Sequence, residues 1–246
     1  MNNPEGGTPF NNPEGQRPDP EPSQKQSSVT EQWNTLLQDE RVQQARQASK
    51  QYYSFFASTL ARPYRTMLSV GSAQFQHALI TLSLVAVLSS LYFLTWFLKW
   101  SITPAIGPGF LKPLLLTVLG LAIAYGAGYA ILRLEKVSFD PKLLLARFGT
   151  LLIPAVAALL LAIVFLALSL TTFSMYLLFL SYLFIFVALN AAIFQYPIRT
   201  SAGPIDTLFT LAIANSITAY IFYKLIASVI AGAIGGFFGG LSPFGF

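Results

Sequence analysis

Cysteine is absent from all 246 residues. Its absence excludes disulfides, thiolate metal sites and a cysteine nucleophile, and removes the usual redox clue to compartment. Histidine occurs once, as His77. One imidazole without a thiol cannot supply the three or four ligands of a zinc site. Charge is scarce as well: Asp, Glu, Lys and Arg make up 10% of the chain, against about 25% in soluble domains. So few charges cannot cover an ordinary water-facing surface. Seven of the ten acids lie within residues 1–76, and only Glu135, Asp140 and Asp206 follow. These three fall in or beside the loops between apolar stretches. Paired carboxylates for general acid–base work inside the apolar region are therefore missing. So are the Asp/Glu clusters that hold magnesium in lipid-phosphate transferases. A Ser–His–acid triad would have to gather His77 and Asp206 with an unspecified serine, and no local motif supports one. The sequence reads as a non-enzyme without metal or cofactor, with His77 a polar residue at a helix end.

What is abundant is hydrophobic: 54% of residues, with a mean hydropathy of +0.58. Five apolar stretches run at about His77–Leu98, Leu111–Leu134, Phe148–Leu170, Phe173–Phe194 and Leu208–Ile234. Each reaches the ~20 residues that cross ~30 Å of hydrocarbon at 1.5 Å per residue. No charge occurs from Phe148 to Gln195. That is too long for one crossing, so Ser169-Leu170-Thr171-Thr172 is the expected turn of a tight hairpin. Pro154 should bend the third span. The expected fold class is all-α: a polytopic membrane protein of five transmembrane helices, residues 67–246. An amphipathic, interfacial helical segment (31–66) and a disordered polar tail (1–30) precede it.

The tail is rich in Pro, Asn, Gly, Gln, Ser and Glu, and Asn2-Asn3-Pro4-Glu5-Gly6 recurs as Asn11-Asn12-Pro13-Glu14-Gly15. Such a composition cannot bury enough surface to offset its ordering entropy. The alternative is a docking peptide built on Arg17-Pro18-Asp19-Pro20-Glu21-Pro22 in polyproline II. The first long apolar run begins near residue 77, so no signal peptide is expected. In the next segment Thr30 can cap a helix. Its aromatic group Tyr52, Tyr53, Phe55 and Phe56, followed by Arg62 and Arg65, suits a headgroup layer with anionic lipid. A water-exposed connector whose aromatics pack on the bundle is the competing reading.

Basic residues give the threading. One side carries Arg62, Arg65, Arg133, Lys136, Lys142, Arg147 and Arg199; the other carries Lys99, Lys112 and Lys224. Seven against three places the first side, with the N-terminus, in the cytoplasm and the C-terminus outside. The net charge of +5 then speaks for topology and anionic lipid rather than nucleic acid.

Small residues recur at four-residue spacing as Gly120, Ala124 and Gly128, and as Gly232, Gly236 and Gly240. Such spacing allows close backbone approach within the bundle or between copies of the chain in a homo-oligomer. Glycine this dense is expected to fray the end of the last helix. Asn190 and Asn215 are expected to hydrogen-bond between helices. Lys224 is the one charge within a span. It marks a polar pathway if the chain moves a solute, and otherwise its stem snorkels to the outer interface.

The layout of a polar N-terminal region, aromatic pre-membrane stretch, five spans and short outer C-terminus resembles the Yip1-like membrane proteins. The bacterial branch is the nearest likeness, through Gln51-Tyr52-Tyr53-Ser54-Phe55-Phe56 leading into Leu60-Ala61-Arg62-Pro63. The resemblance covers roughly residues 45–235. It implies a non-enzymatic scaffold or accessory factor of the bacterial cytoplasmic membrane, working through protein partners. The zinc ribbon of some bacterial relatives has no counterpart here, and no residue carries over the small-GTPase contacts of the eukaryotic branch. The rival reading is a small transporter or channel component, which would need a polar path through the bundle. Asn190, Asn215 and Lys224 are the only candidates for one.

Overall fold

A computed structural model describes residues 40–197 and 206–239. The tail 1–30, positions 31–39, Arg199 and Gly240 lie outside the described residues. The chain divides into two contact units, Met1–Lys50 and Gln51–Phe246. In the first, the described residues are helical. The second holds everything that follows.

The helices are α1 (Glu40–Ala61), α2 (Pro63–Ser69), α3 (Phe75–Lys99), α4 (Lys112–Leu134), α5 (Pro141–Leu151), α6 (Ile153–Ala167), α7 (Thr171–Ile193) and α8 (Thr207–Gly239). No strand occurs among the described residues. The fold is all-α and polytopic. Five helical segments are long and apolar enough to cross a membrane: Ser72–Lys99, Gly107–Leu134, Pro141–Ala167, Thr171–Ile193 and Thr207–Gly236. They match the five apolar stretches with shifted edges.

The largest shift is in the third span, which starts at Pro141 rather than at Phe148. Asp140 caps it, its Oδ1 accepting the Lys142 amide at 2.9 Å, so the charged run before Phe148 is helix rather than loop. Pro154 does interrupt this span. It has no N–H for the Thr150 carbonyl, and the chain tightens to Leu152 N–Gly149 O at 3.2 Å, dividing α5 from α6.

Three connections close in the same way. After α3, α4 and α6, residues Ser101, Lys136 and Ser169 adopt positive φ of 52°, 53° and 67°. The amide three residues past each helix end reaches back five residues: Ile102 to Phe97, Val137 to Leu132 and Leu170 to Phe165, at 2.9–3.0 Å. These are Schellman caps made without glycine. The last of them forms the expected tight hairpin between α6 and α7.

α3 packs on α4, α5 and α6, while α7 packs on α4, α5 and α6 from the other side. α8 lies against α4 and reaches α7 through Phe222, whose ring is 4.8 Å from that of Tyr182. The expected fraying is corrected: α8 stays helical through Gly239. Its glycine face is seated on the loop that follows α3. A Cβ on Gly232 would come within 2.5 Å of Pro108 Cβ, and one on Gly236 within 2.5 Å of the Thr103 carbonyl oxygen. Contact with that loop replaces the stabilisation that glycine gives up in an isolated helix.

Candidate membrane-interface and interhelix sites

The aromatic group on α1 divides between two surroundings. Tyr52 Oη lies 3.0 Å from Thr81 Oγ1, and the Phe55 ring stacks on His77 at 4.8 Å. Phe56 packs against the core, while Tyr53 is 73% exposed. Three of the four rings therefore touch the protein, and Tyr53, Arg62 and Arg65 are left facing outward. Burial raises the Tyr52 phenol above its usual pKa, and its bond to Thr81 offsets part of the rise. His77 sits within this aromatic group, and its Nδ1 is buried without a partner.

The small-residue stripe of the second span is an intramolecular seam. A Cβ on Gly120 would meet the Phe222 ring at 3.1 Å, and one on Gly128 would meet Leu189 at 3.3 Å. Ala124 is fully buried. Gly232 and Gly236 face the loop that follows α3, as described above. A tighter contact escaped the spacing rule. A Cβ on Gly149 would fall 2.5 Å from Ala78 Cβ and 2.6 Å from Ala78 Cα. Gly149 has no glycine or alanine four residues away, so nothing in its neighbourhood marks it.

Most polar atoms inside the bundle are hydrogen-bonded, Ser181 Oγ on α7 being buried without a partner among the described residues. Asn215 Nδ2 donates to Asn190 Oδ1 at 3.1 Å, and Asn190 Nδ2 donates to the Phe186 carbonyl at 2.9 Å. Ser89 Oγ lies 2.6 Å from Tyr182 Oη and accepts from Thr117 Oγ1 at 3.3 Å. Ser174 Oγ donates to the Ala162 carbonyl at 2.7 Å and lies 3.2 Å from Tyr92 Oη. Asn190 and Asn215 thus meet, but Lys224 does not join them. It is exposed on the outer face of α8, its Nζ 5.4 Å from the Tyr220 ring centroid. A helical side chain leans toward the N-terminus, so the ammonium points one turn back along the helix.

Lys99 has a role that sequence reasoning gave only to topology. Its Nζ donates to the Leu166 carbonyl at 2.7 Å and to Ser169 Oγ at 3.0 Å. It thereby ties α3 to the C-terminal end of α6, where a cation is also favoured by the helix dipole.

At the opposite end of the bundle, Arg133 and Arg147, read in the sequence only as threading markers, stand beside a row of aromatic rings. The rings of Tyr129, Phe139 and Tyr196 stand edge-on in succession, with centroids 5.3 Å and 5.9 Å apart. Arg133 Cζ lies 5.4 Å from the Tyr129 centroid and 5.8 Å from that of Phe139, and its Nε donates to Tyr129 Oη at 3.1 Å. Arg147 Cζ lies 5.2 Å from the Tyr196 centroid. The Tyr196 phenol is beside this guanidinium but outside hydrogen-bond geometry, and Arg147 Nε is buried with no acceptor. Burial raises the Tyr196 phenol, and the positive charge of Arg147 offsets part of the rise. The i, i+4 pair Tyr129–Arg133 was legible in the sequence; the meeting of Phe139 and Tyr196 was not. The nearby acids are committed elsewhere: Asp140 caps α5, and Glu135 accepts from Thr207 Oγ1 at 2.7 Å.

No protein-family model matches this chain, and no solved structure matches it. Over 123 residues it is 34% identical to the uncharacterized protein YvbI of Bacillus subtilis (strain 168), a stretch that covers 49% of this chain and 52% of that protein. The chain thus spans about half the length of the curated relative it matches.

Proposed function

We propose that this integral membrane protein is a non-enzymatic scaffold or accessory factor of the Yip1-like kind, seated in a bacterial cytoplasmic membrane. Its N-terminus faces the cytoplasm and its C-terminus the outside. The observation that carries the reading is the division of polar groups. Most of those inside the bundle are spent on each other or on backbone carbonyls, as in the Asn190–Asn215 pair, the Ser89–Tyr182–Thr117 set and Thr218, with Ser181 Oγ the buried exception. The residues at hand for recognition, among them Tyr53, Arg62, Arg65 and Lys224, lie on the outside. That is the pattern of a body whose spans hold each other and whose surface meets lipid and other proteins. Anionic headgroups and protein partners, a further copy of the chain among them, are the proposed ligands; nucleic acid is not.

The test reconstitutes the full chain into liposomes and measures solute and ion flux, with photo-cross-linking from position 53 in cells alongside. The reading expects flux no greater than in empty liposomes, together with a discrete cross-linked protein. Flux that Asn190→Ala or Lys224→Gln abolishes, with the fold intact, would replace it with transport.

A further inference from the structure

We propose that the Tyr129–Phe139–Tyr196 row with its two guanidiniums is a binding site for a phosphate ester, and that the occupant is the phosphodiester of an anionic lipid. Arg133 and Arg147 each lie against a ring face. Contact with a ring attracts the cation without using its N–H donors and leaves a guanidinium edge to donate. That edge matches the fork geometry in which arginine takes up phosphate oxygens. Arg133 spends Nε on Tyr129 Oη and retains its terminal nitrogens. Arg147 has a buried Nε with no acceptor among the described residues. A half-buried cation without a carboxylate partner calls for an explanation, and an anion against the rest of the guanidinium offers one: it compensates the charge.

Depth identifies the source of the phosphate. Arg133 is in the last turn of α4, and Arg147 is six residues into the third span, about 9 Å along the helix. Its side chain leans back toward the start of α5. Tyr196 lies just past the end of α7. The row therefore stands at the ends of the spanning helices, where they would meet lipid headgroups and their phosphates. This differs from diffuse attraction of exposed Arg62 or Arg65 to an anionic surface. A fork that grips phosphate through paired N–H donors predicts that lysine, a point charge, cannot replace arginine here, whereas a diffuse attraction would be indifferent to the change.

The experiment uses the full chain in neutral detergent. Native mass spectrometry counts retained lipid as phosphatidylglycerol or phosphatidylcholine is titrated in, and thermal unfolding is followed in parallel. The expected result is selective retention of phosphatidylglycerol with a raised melting temperature. Arg147→Gln and Arg147→Lys should both weaken retention by about tenfold, while Lys112→Gln at the other end of the bundle leaves it unchanged. Should Arg147 variants fail to fold, Arg133→Gln and Arg133→Lys carry the same comparison, since Arg133 is exposed. Equal retention of both lipids, or full retention by the lysine variants, would overturn the site. Displacement of the lipid by millimolar inorganic phosphate, or protection by phosphate alone, would overturn the assignment to lipid. Neither outcome depends on whether the protein is a scaffold or a transporter, so this proposal and the functional one fail separately.

Discussion

Gly149→Ala adds one methyl group where α5 closely approaches α3. The new Cβ would stand 2.5 Å from Ala78 Cβ, 2.6 Å from Ala78 Cα and 3.1 Å from its carbonyl oxygen. Two of these three atoms belong to the backbone, so no side-chain rotation relieves the overlap. α3 and α5 must separate by about an ångström to restore ordinary contact near 3.5–4.0 Å. That movement loosens the buried neighbours Ala146, Phe148 and Thr150 on the same helix. Overpacking in a filled core costs about 1–3 kcal/mol, and the rigidity of both partners points to the upper half of that range. Alanine's helix propensity, better than glycine's by about 1 kcal/mol, offsets part of it. A net loss near 1–2 kcal/mol should appear as an earlier unfolding midpoint in detergent. Gly126→Ala is the matched control, because a Cβ there has nothing within 4 Å, and it should be neutral or stabilising. The double variant Ala78→Gly/Gly149→Ala sharpens the test. It removes the Cβ overlap but leaves the approach to Ala78 Cα, so recovery should be partial. Gly149→Ala as stable as wild type, or full recovery in the double variant, would refute backbone contact as the reason for this glycine.

Other consequences are simpler to state. Ser101→Gly should stabilise the fold by about 1 kcal/mol, because Ser101 sits at φ 52° where only glycine is unstrained; an unchanged midpoint in chemical denaturation would count against the strain. Lys99→Met should cost about 1–2 kcal/mol by removing the charged donor from the Leu166 carbonyl and Ser169 Oγ, and should raise hydrogen exchange at the α6–α7 turn before it does so elsewhere; uniform exchange would argue against the tie. Lys224→Gln should leave both the unfolding midpoint and liposome permeability unchanged, since the side chain lies outside the bundle; a lost ion flux with intact fold would refute that placement.

The five spans were legible because a long apolar run has few alternatives to a membrane helix. Their edges were less so. Pro141, Lys142 and Arg147 made the start of the third span look like loop, yet Asp140 with Pro141 is a helix-start signal of cap and first-turn proline. The helix stops at Ser101, Lys136 and Ser169 were hidden for the opposite reason. Their caps use left-handed residues without the glycine that ordinarily advertises one. Small-residue spacing found Gly120 and Gly128 but not Gly149, whose partner Ala78 is on another helix seventy-one residues earlier in the chain. The site row was invisible for a similar reason. Tyr129 and Arg133 share a helix face, but Phe139 is in a loop and Tyr196 follows a different span, so only the folded arrangement brings them together.

Within lipid, the chain gains little by hiding apolar surface from its surroundings, so cohesion has to come from close approach and from hydrogen bonds. Both are present, and they alternate along the first span. Near its start Ala78 receives Gly149, and Thr81 meets Tyr52. Midway Ser89 joins Tyr182 and Thr117. Toward its end Phe97 receives Gly109, and Lys99 binds Leu166. Each bridge engages a different neighbour, which makes α3 the element the other helices are hung upon. α8 has no such chain of bridges. It packs along α4, reaches α7 through Phe222 and the Asn215 amide, and seats its glycines on the loop that follows α3, and most of its large side chains face outward. The spans therefore differ in how firmly they are held. Among the five spans, the one that displays Tyr220, Tyr223 and Lys224 is the least buried within the bundle and packs mainly on α4, so its outward face is the one that can be engaged with least disturbance of the other spans.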